Sequence, residues 1–332
     1  MSKPYTSRFS REDDSVGVNT LLLKEAKGVT KKDKIVLFSL KNIYVATRVV
    51  ARMLLGKKKR DRLYIGRGIS FKNFLYKSVQ FLRMNNSLLE VHIPKYGCQA
   101  YCRVGDSFDD FVIMTQHEDF LIERFSCKKD DVVVDVGAHI GQYTITSSSR
   151  VGPNGKVIAI EADPSNFEML NCNVKLNQFT NVLSLNCAVY SKEEKVKLFL
   201  PSQESGLTKY NTIMTYRARA EKDKFIQVNA NTLDNLLEQN GISHEGVNWI
   251  KIDVEGAEYE VLKGATSILS KSKDLALLIE IHNLAGGINF HTQIVELLGS
   301  YGFRIEFEKK YEYRERHILV RKSKDNTKFG SK

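Results

Sequence analysis

The sequence predicts a doubly wound α/β sheet, closed by a C-terminal antiparallel hairpin and preceded by a small β-rich layer. Three observations predict it. VVVDV (132–136), KVIAIEA (156–162), WIKIDV (249–254) and LALLIEI (275–281) are Val/Ile/Leu runs without polar alternation, which marks strands buried on both faces. Helical patterns separate them: HEDFLIERF (117–125), GQYTITSSSRV (141–151), PSNFEMLNCNVKLNQF (164–179), NTLDNLLEQ (231–239) and EGAEYEVLKGATSILSK (255–271). FRIEFEKK (303–310) followed by YEYRERHILVRK (311–322) reads as a hairpin at one sheet edge.

The remaining elements follow in order. VLSLNCAV (182–189) reads as one further strand. Before the sheet, RLYIG (62–66), SLLEVHI (87–93), QAYCRV (99–104) and DFVIM (110–114) alternate with turn residues and read as the small antiparallel layer. Residues 35–55 form an apolar helical pattern interrupted by Lys41, Arg48 and Arg52 on one stripe, too charged to span a bilayer. It is expected to pack on the body, with peripheral membrane contact through 35–60, aided by Lys57 to Arg60, as the competing expectation. The organisation expected is a basic segment 1–60, a β-rich subdomain 61–116, the α/β domain 117–322 and a basic tail 323–332.

The net charge of +11 is not a groove for phosphates. Residues 1–60 carry 15 Lys/Arg against 5 Asp/Glu, residues 314–332 carry 7 against 2, and the body between is mildly acidic. Nucleic acid is therefore not the expected partner. Five cysteines without a CxxC argue against a disulfide framework or structural zinc, and the first ten residues show no secretory signal. The expected location is cytoplasmic.

The densest chemical signal is DVGAHIG (135–141), a buried strand running through two glycines into a helix. Gly137 permits a tight turn and close ligand approach, and Gly141 opens the helix. Twenty residues further on, the next strand ends in Glu161, beside Ala162, placed to accept both hydroxyls of a ribose. A dinucleotide fingerprint has glycine two positions after the first, where His139 stands here, so a pyrophosphate would meet a side chain. Asp135 instead suits an ammonium, and the amides of the turn suit a carboxylate. S-adenosylmethionine, a nucleoside carrying an amino acid, fits better than NAD.

DVGAHIGQYT, IAIEADPSNFEMLNCNVKLN, NCAVYS, NTLDNLL, WIKIDVEGAEYEVLKGA and LLIEIH occur in that order over about residues 100 to 282 and resemble the FkbM family of S-adenosylmethionine-dependent methyltransferases. The resemblance implies a class I, Rossmann-like sheet of seven strands with a reversed edge strand, and methylation of hydroxyl oxygens. It also implies that Asp135, Gly137, Ala138, His139 and Gly141 surround the methionine part, that Glu161 holds the ribose, and that Asn186, Cys187 and Ala188 border the adenine. His139 stands where Asn is commoner in the family.

Asp253 and His282 end two strands at the carboxyl edge, where doubly wound sheets bind ligands. They are the expected catalytic pair, with His282 a neutral general base and Asp253 orienting it or the acceptor hydroxyl. Glu255 and Lys209 are candidate substrate contacts, Lys209 lying with Arg217 and Arg219 in a polar excursion at about 201–224 expected to cover the substrate. The loop from His282 to Gly287 is read in the same way. Asp253, Glu255 and His282 have the residue types for a metal, but methyl transfer from a sulfonium needs no Lewis acid, so no metal is expected. The acceptor expected is a sugar, polyol or other small-molecule hydroxyl. The rivals are a nucleic-acid methyltransferase and a non-catalytic nucleoside-binding protein. Against the first, no Asn/Asp-Pro-Pro-Tyr motif follows WIKI, where Asp253-Val254-Glu255-Gly256 stands.

Overall fold

The computed structural model describes residues 21–22, 87–93, 96–104, 110, 113–114, 119–200, 212–213, 224–282, 290–311 and 315–322. The expected helix at 35–55, the cationic run 57–60, the strand 62–66, Lys209, Arg217, Arg219, the loop 283–287 and the tail 323–332 lie outside them. The chain forms two compact units, Met1–His117 and Glu118–Lys332.

The first unit contains an antiparallel sheet of β1 (Leu21–Leu22), β2 (Ser87–Ile93) and β3 (Cys98–Val104), in that order. Cys98, Ala100 and Cys102 alternate along β3 and are buried, the period-two pattern of a half-buried strand. DFVIM differs from expectation, since Asp110 and Ile113–Met114 are helical. The carboxylate of Asp110 takes the backbone N–H of Arg103 (2.9 Å) and its guanidinium (2.7 Å). Side-chain bonds thus hold this segment to β3 where a strand ladder was expected.

The second unit begins with α1 (Asp119–Arg124), β4 (Val132–Val136), α2 (Gln142–Val151), β5 (Lys156–Glu161), α3 (Pro164–Leu176) and β6 (Val182–Asn186). After β7 (Ala188–Val189), β8 (Glu194–Phe199), β9 (Phe225–Asn231) and α4 (Leu233–Gln239) come β10 (Val247–Ile252), α5 (Glu258–Lys263), α6 (Thr266–Lys271), β11 (Ala276–His282), α7 (Phe290–Ser300), β12 (Phe303–Lys310) and β13 (Glu315–Lys322). The seven-stranded sheet has the order β12-β13-β11-β10-β4-β5-β6. β13 runs antiparallel to both β11 and β12, so it alone is reversed and β12 forms the edge. This is the class I methyltransferase arrangement. Its core is the apolar runs themselves: Val134, Val136, Ile158, Ile160, Ile250, Ile252, Leu277 and Ile279 are at most 1% exposed. The chain order reverses between β4 and β10, which opens a crevice at their carboxyl ends.

Two further differences have local causes. The run 182–189 is two strands. Cys187 N–H and the Asn186 amide both donate to the Glu161 carbonyl (3.2 and 2.8 Å), and beyond them β7 joins β8 and β9 in a separate small sheet. The expected helix over 255–271 is two helices. At Gly264 a Cβ would lie 2.2 Å from the Tyr190 carbonyl, and Asp234 caps the next helix through Ser267 and Ile268 N–H (2.7 and 3.0 Å). No described helix is long and apolar enough to cross a membrane.

Candidate functional site

The carboxyl ends of β4, β5 and β6 form one half of the site. Asp135, 1% exposed, accepts from Thr144 Oγ1 (2.6 Å) through Oδ2, while its Oδ1 is buried without a hydrogen-bond partner. Burial, against Lys251 and Thr144, raises its pKa. At Gly137 (φ 76°) a Cβ would lie 1.9 Å from the Asp253 carbonyl oxygen, so only glycine fits there. His139 takes the left-handed conformation (φ 51°), held by its N–H donating to Glu161 Oε2 at 2.7 Å. Glu161 Oε1 accepts from Asp163 N–H (2.9 Å). Burial pushes the Glu161 carboxyl up to about 7 against these two amides.

Three of the turn's amides are spent within the fold. Gly137 and Ala138 N–H both donate to the Ile160 carbonyl (3.0 Å each), and Gly141 N–H donates to Ala138 (2.8 Å). These three amides, expected to bind the amino-acid end, are used in closing the turn. Their work is to hold His139 N–H on Glu161. Asn186 and Cys187 lie against the Glu161 backbone.

The carboxyl ends of β10 and β11 form the other half. Lys251, only 6% exposed, reaches the Gly137 carbonyl (3.1 Å), Asp253 Oδ2 (3.3 Å) and Asp135 Oδ1 (3.9 Å). Its ammonium stands 5.3 Å from the Tyr143 ring centre, and Phe125 packs edge-on against both Tyr143 and Trp249. Withdrawal from water opposes ionisation of Asp253, but Lys251, then His282 and His317, hold its pKa down at about 2. After β10 the backbone turns through two left-handed residues, Glu255 (φ 55°) and Gly256 (φ 108°). That turn brings Glu255 Oε2 within 3.5 Å of His282 Nε2. Thr212, within the excursion, donates to the Glu255 carbonyl at 2.8 Å.

His282 is set among carboxylates: Nδ1 lies 2.9 Å from Glu258 Oε1, and Nε2 lies 3.5 Å from both Glu255 and Glu280. Burial lowers its pKa, but Glu255, Glu258 and Glu280 outweigh it and raise the value well above the ordinary one. The carboxylates around the ring expected to act as a neutral base favour its charged form. Sequence reading missed Lys251, Glu258, Glu280 and His317. The first had a signal, a lysine inside an apolar buried strand two residues from Asp253 and so on the same face. Glu280 alternates with His282 in the same way, and His317 reaches Glu280 (3.0 Å) through the β11–β13 register.

A family model described as the methyltransferase FkbM domain matches residues 135–305. Methyltransferase 1 of Beauveria bassiana is 26% identical over 147 residues, 41% of this chain and 58% of that one. The hexuronic acid methyltransferase AglP of Haloferax volcanii is 30% identical over 155 residues, 47% of this chain and 57% of that one. The chain thus spans little more than half the length of these two relatives. A solved FkbM methyltransferase from Methylobacillus flagellatus aligns with a TM-score of 0.41 at 15% identity, covering 62% of this chain and 46% of that one. The sheet order is that of S-adenosylmethionine-dependent methyltransferases. With the family model matching over half its length, the chain belongs to the FkbM family of methyltransferases.

Proposed function

We propose that this chain methylates an oxygen of a sugar or related polyol, using S-adenosylmethionine as donor. The observation that carries the reading is the pairing of Glu161, pinned by the amides of His139 and Asp163, with Asp253 at the opposite wall of the same crevice. The family membership supports the reaction class, and the name of the Haloferax relative, a hexuronic acid methyltransferase, supports a sugar acceptor.

S-adenosylmethionine supplies an electrophilic methyl group on a sulfonium when bound. Glu161 would hold the ribose hydroxyls with the lone pairs its two backbone donors leave over. Asp135, beside Gly137, would balance the ammonium. Asp253 and Glu255 orient the acceptor hydroxyl, and one of these carboxylates takes its proton as the new C–O bond forms. His282, held by Glu258 at 2.9 Å, stands beside Glu255 and is a positioning residue. Lys209 remains a candidate substrate contact.

The test is transfer of labelled methyl to hexuronic-acid oligosaccharides, neutral polyols and RNA in parallel. The expected result is base-stable label on a sugar oxygen, reduced at least 10²-fold in Asp253→Asn. Label on RNA alone, or on none of the three while donor binding is intact, would overturn the acceptor assignment.

A further inference from the structure

We infer that Asp253, Glu255 and His282 form a binding site for a divalent first-row cation, of which Mn²⁺ is the representative. One ligand atom from each of the three lies within 4.8 Å of the other two. His282 Nε2 and Glu255 Oε2 are 3.5 Å apart, too long for a good hydrogen bond. Two ligands at about 2.1 Å from one ion, roughly 90° to 110° apart, stand about 3.0 to 3.4 Å from each other. The spacing is therefore close to that of two ligands on one ion, and a small side-chain movement completes it.

The support around the histidine is what separates this group from a surface cluster. Glu258, 1% exposed, accepts from His282 Nδ1 (2.9 Å) and from Gly256 N–H (2.8 Å) with the same oxygen, so Nδ1 carries a hydrogen. A carboxylate on the outer nitrogen of an imidazole fixes the tautomer and aims the other nitrogen's lone pair at a metal. Here that other nitrogen faces Glu255. The group also has an open side, since the side chains of His282, Glu255 and Asp253 are 5%, 15% and 28% exposed in turn. One imidazole and two carboxylates suit a hard to borderline dication and not a thiophilic one.

Binding of the cation does not depend on the reading of the chain as a methyltransferase. Its use rests on that reading: a dication there would hold the acceptor oxygen and favour loss of its proton, with Asp253 and Glu255 as ligands. The same crevice would then take an acceptor with a hydroxyl and a second oxygen beside it.

The experiment uses the full chain stripped with a chelator and then titrated with Mn²⁺, following free ion by electron paramagnetic resonance. Calorimetry with S-adenosylmethionine on the same samples checks separately that the donor half is intact. The expected result is one Mn²⁺ per chain, weakened at least tenfold in His282→Gln and in Glu255→Gln, and tenfold to a hundredfold in Glu258→Gln. Pulsed resonance of the wild-type complex is expected to show coupling to an imidazole nitrogen, which keeps the test decisive if a variant fails to fold. No uptake by the wild-type chain, uptake without nitrogen coupling, or equal uptake in folded His282→Gln and Glu255→Gln would overturn the proposal.

Discussion

The two walls of the crevice are built by different means. At the ends of β4 and β5 the charged groups, Asp135 and Glu161, are held by Thr144 and by backbone amides from a glycine turn. At the ends of β10 and β11 the charges are held by one another: Lys251 on Asp253, His282 among Glu255, Glu258 and Glu280, and His317 on Glu280. A wall fixed by backbone suits a ligand of constant shape. A wall of mutually dependent charges responds to what enters it, because removing any member changes its neighbours.

Lys251 joins the walls, and its removal should have the largest effect. Lys251→Met leaves Asp135 buried and Asp253 without its nearest cation. Breaking a buried pair costs about 3 to 5 kcal/mol, so a urea titration should show a loss of that order, with donor and acceptor functions failing together. A loss under about 1 kcal/mol would mean that the walls are independent.

Gly137→Ala is next, and it strikes the joint from the backbone side. The added Cβ at 1.9 Å from the Asp253 carbonyl and the left-handed φ each cost about 1 to 3 kcal/mol. Donor affinity is expected to fall with stability, both read by calorimetry. A normal affinity would show that the turn relaxes away from β10 without disturbing His139 on Glu161.

The contrast between the walls also explains what the sequence disclosed. The first wall lies within about thirty consecutive residues, where strand, glycine turn, helix and acid sit at fixed spacing, so the placing of Asp135, Gly137 and Glu161 on one wall was legible. Its hydrogen bonds were not, since the choice of Ile160 as acceptor for two amides depends on three-dimensional closure of the turn. The acceptor wall is assembled from strands far apart in sequence. Asp253 and His282 were visible as strand ends, but the ring's carboxylate surroundings come from a left-handed Glu255, a helical Glu258 and the facing of β11 by β13. An isolated histidine in the sequence gives no sign of those partners. The small sheet of β7, β8 and β9 went unread because the alternation in Glu194–Phe199 is short and followed by the polar excursion.

Glu161 gives the donor wall a pH signature. Its pKa, about 7 in the folded chain, exceeds the ordinary carboxylate value of 4.5. Between these values the folded state keeps a proton that the unfolded state has lost, so stability from this group falls as pH rises from about 4.5 to 7, by about 3 kcal/mol, and then levels. The ionised form is the better acceptor for ribose hydroxyls, so donor affinity should climb with pH and flatten above about 7. Glu161→Gln should lower donor affinity by roughly 1.5 to 3 kcal/mol and remove that slope. A slope that survives in Glu161→Gln would assign the titration to another group.

Asp253→Asn should have the smallest effect on donor binding and so tests the separation of the walls directly. The substitution keeps the backbone carbonyl that meets Gly137 and removes only the charge at the crevice. Lys251 retains the Gly137 carbonyl at 3.1 Å and Asp135 at 3.9 Å. The carboxylate is more than a quarter exposed and Lys251 keeps Asp135 as a partner, so the loss of stability is expected to be smaller than in Lys251→Met. Donor affinity is expected within about threefold of the parent, less than 1 kcal/mol, while the rate of methyl transfer falls at least 10²-fold. Calorimetry and single-turnover transfer on the same sample read the two quantities side by side. Should donor affinity fall as far as in Glu161→Gln, Asp253 would be a donor-wall residue acting through Lys251, and the division of labour between the two walls would be wrong.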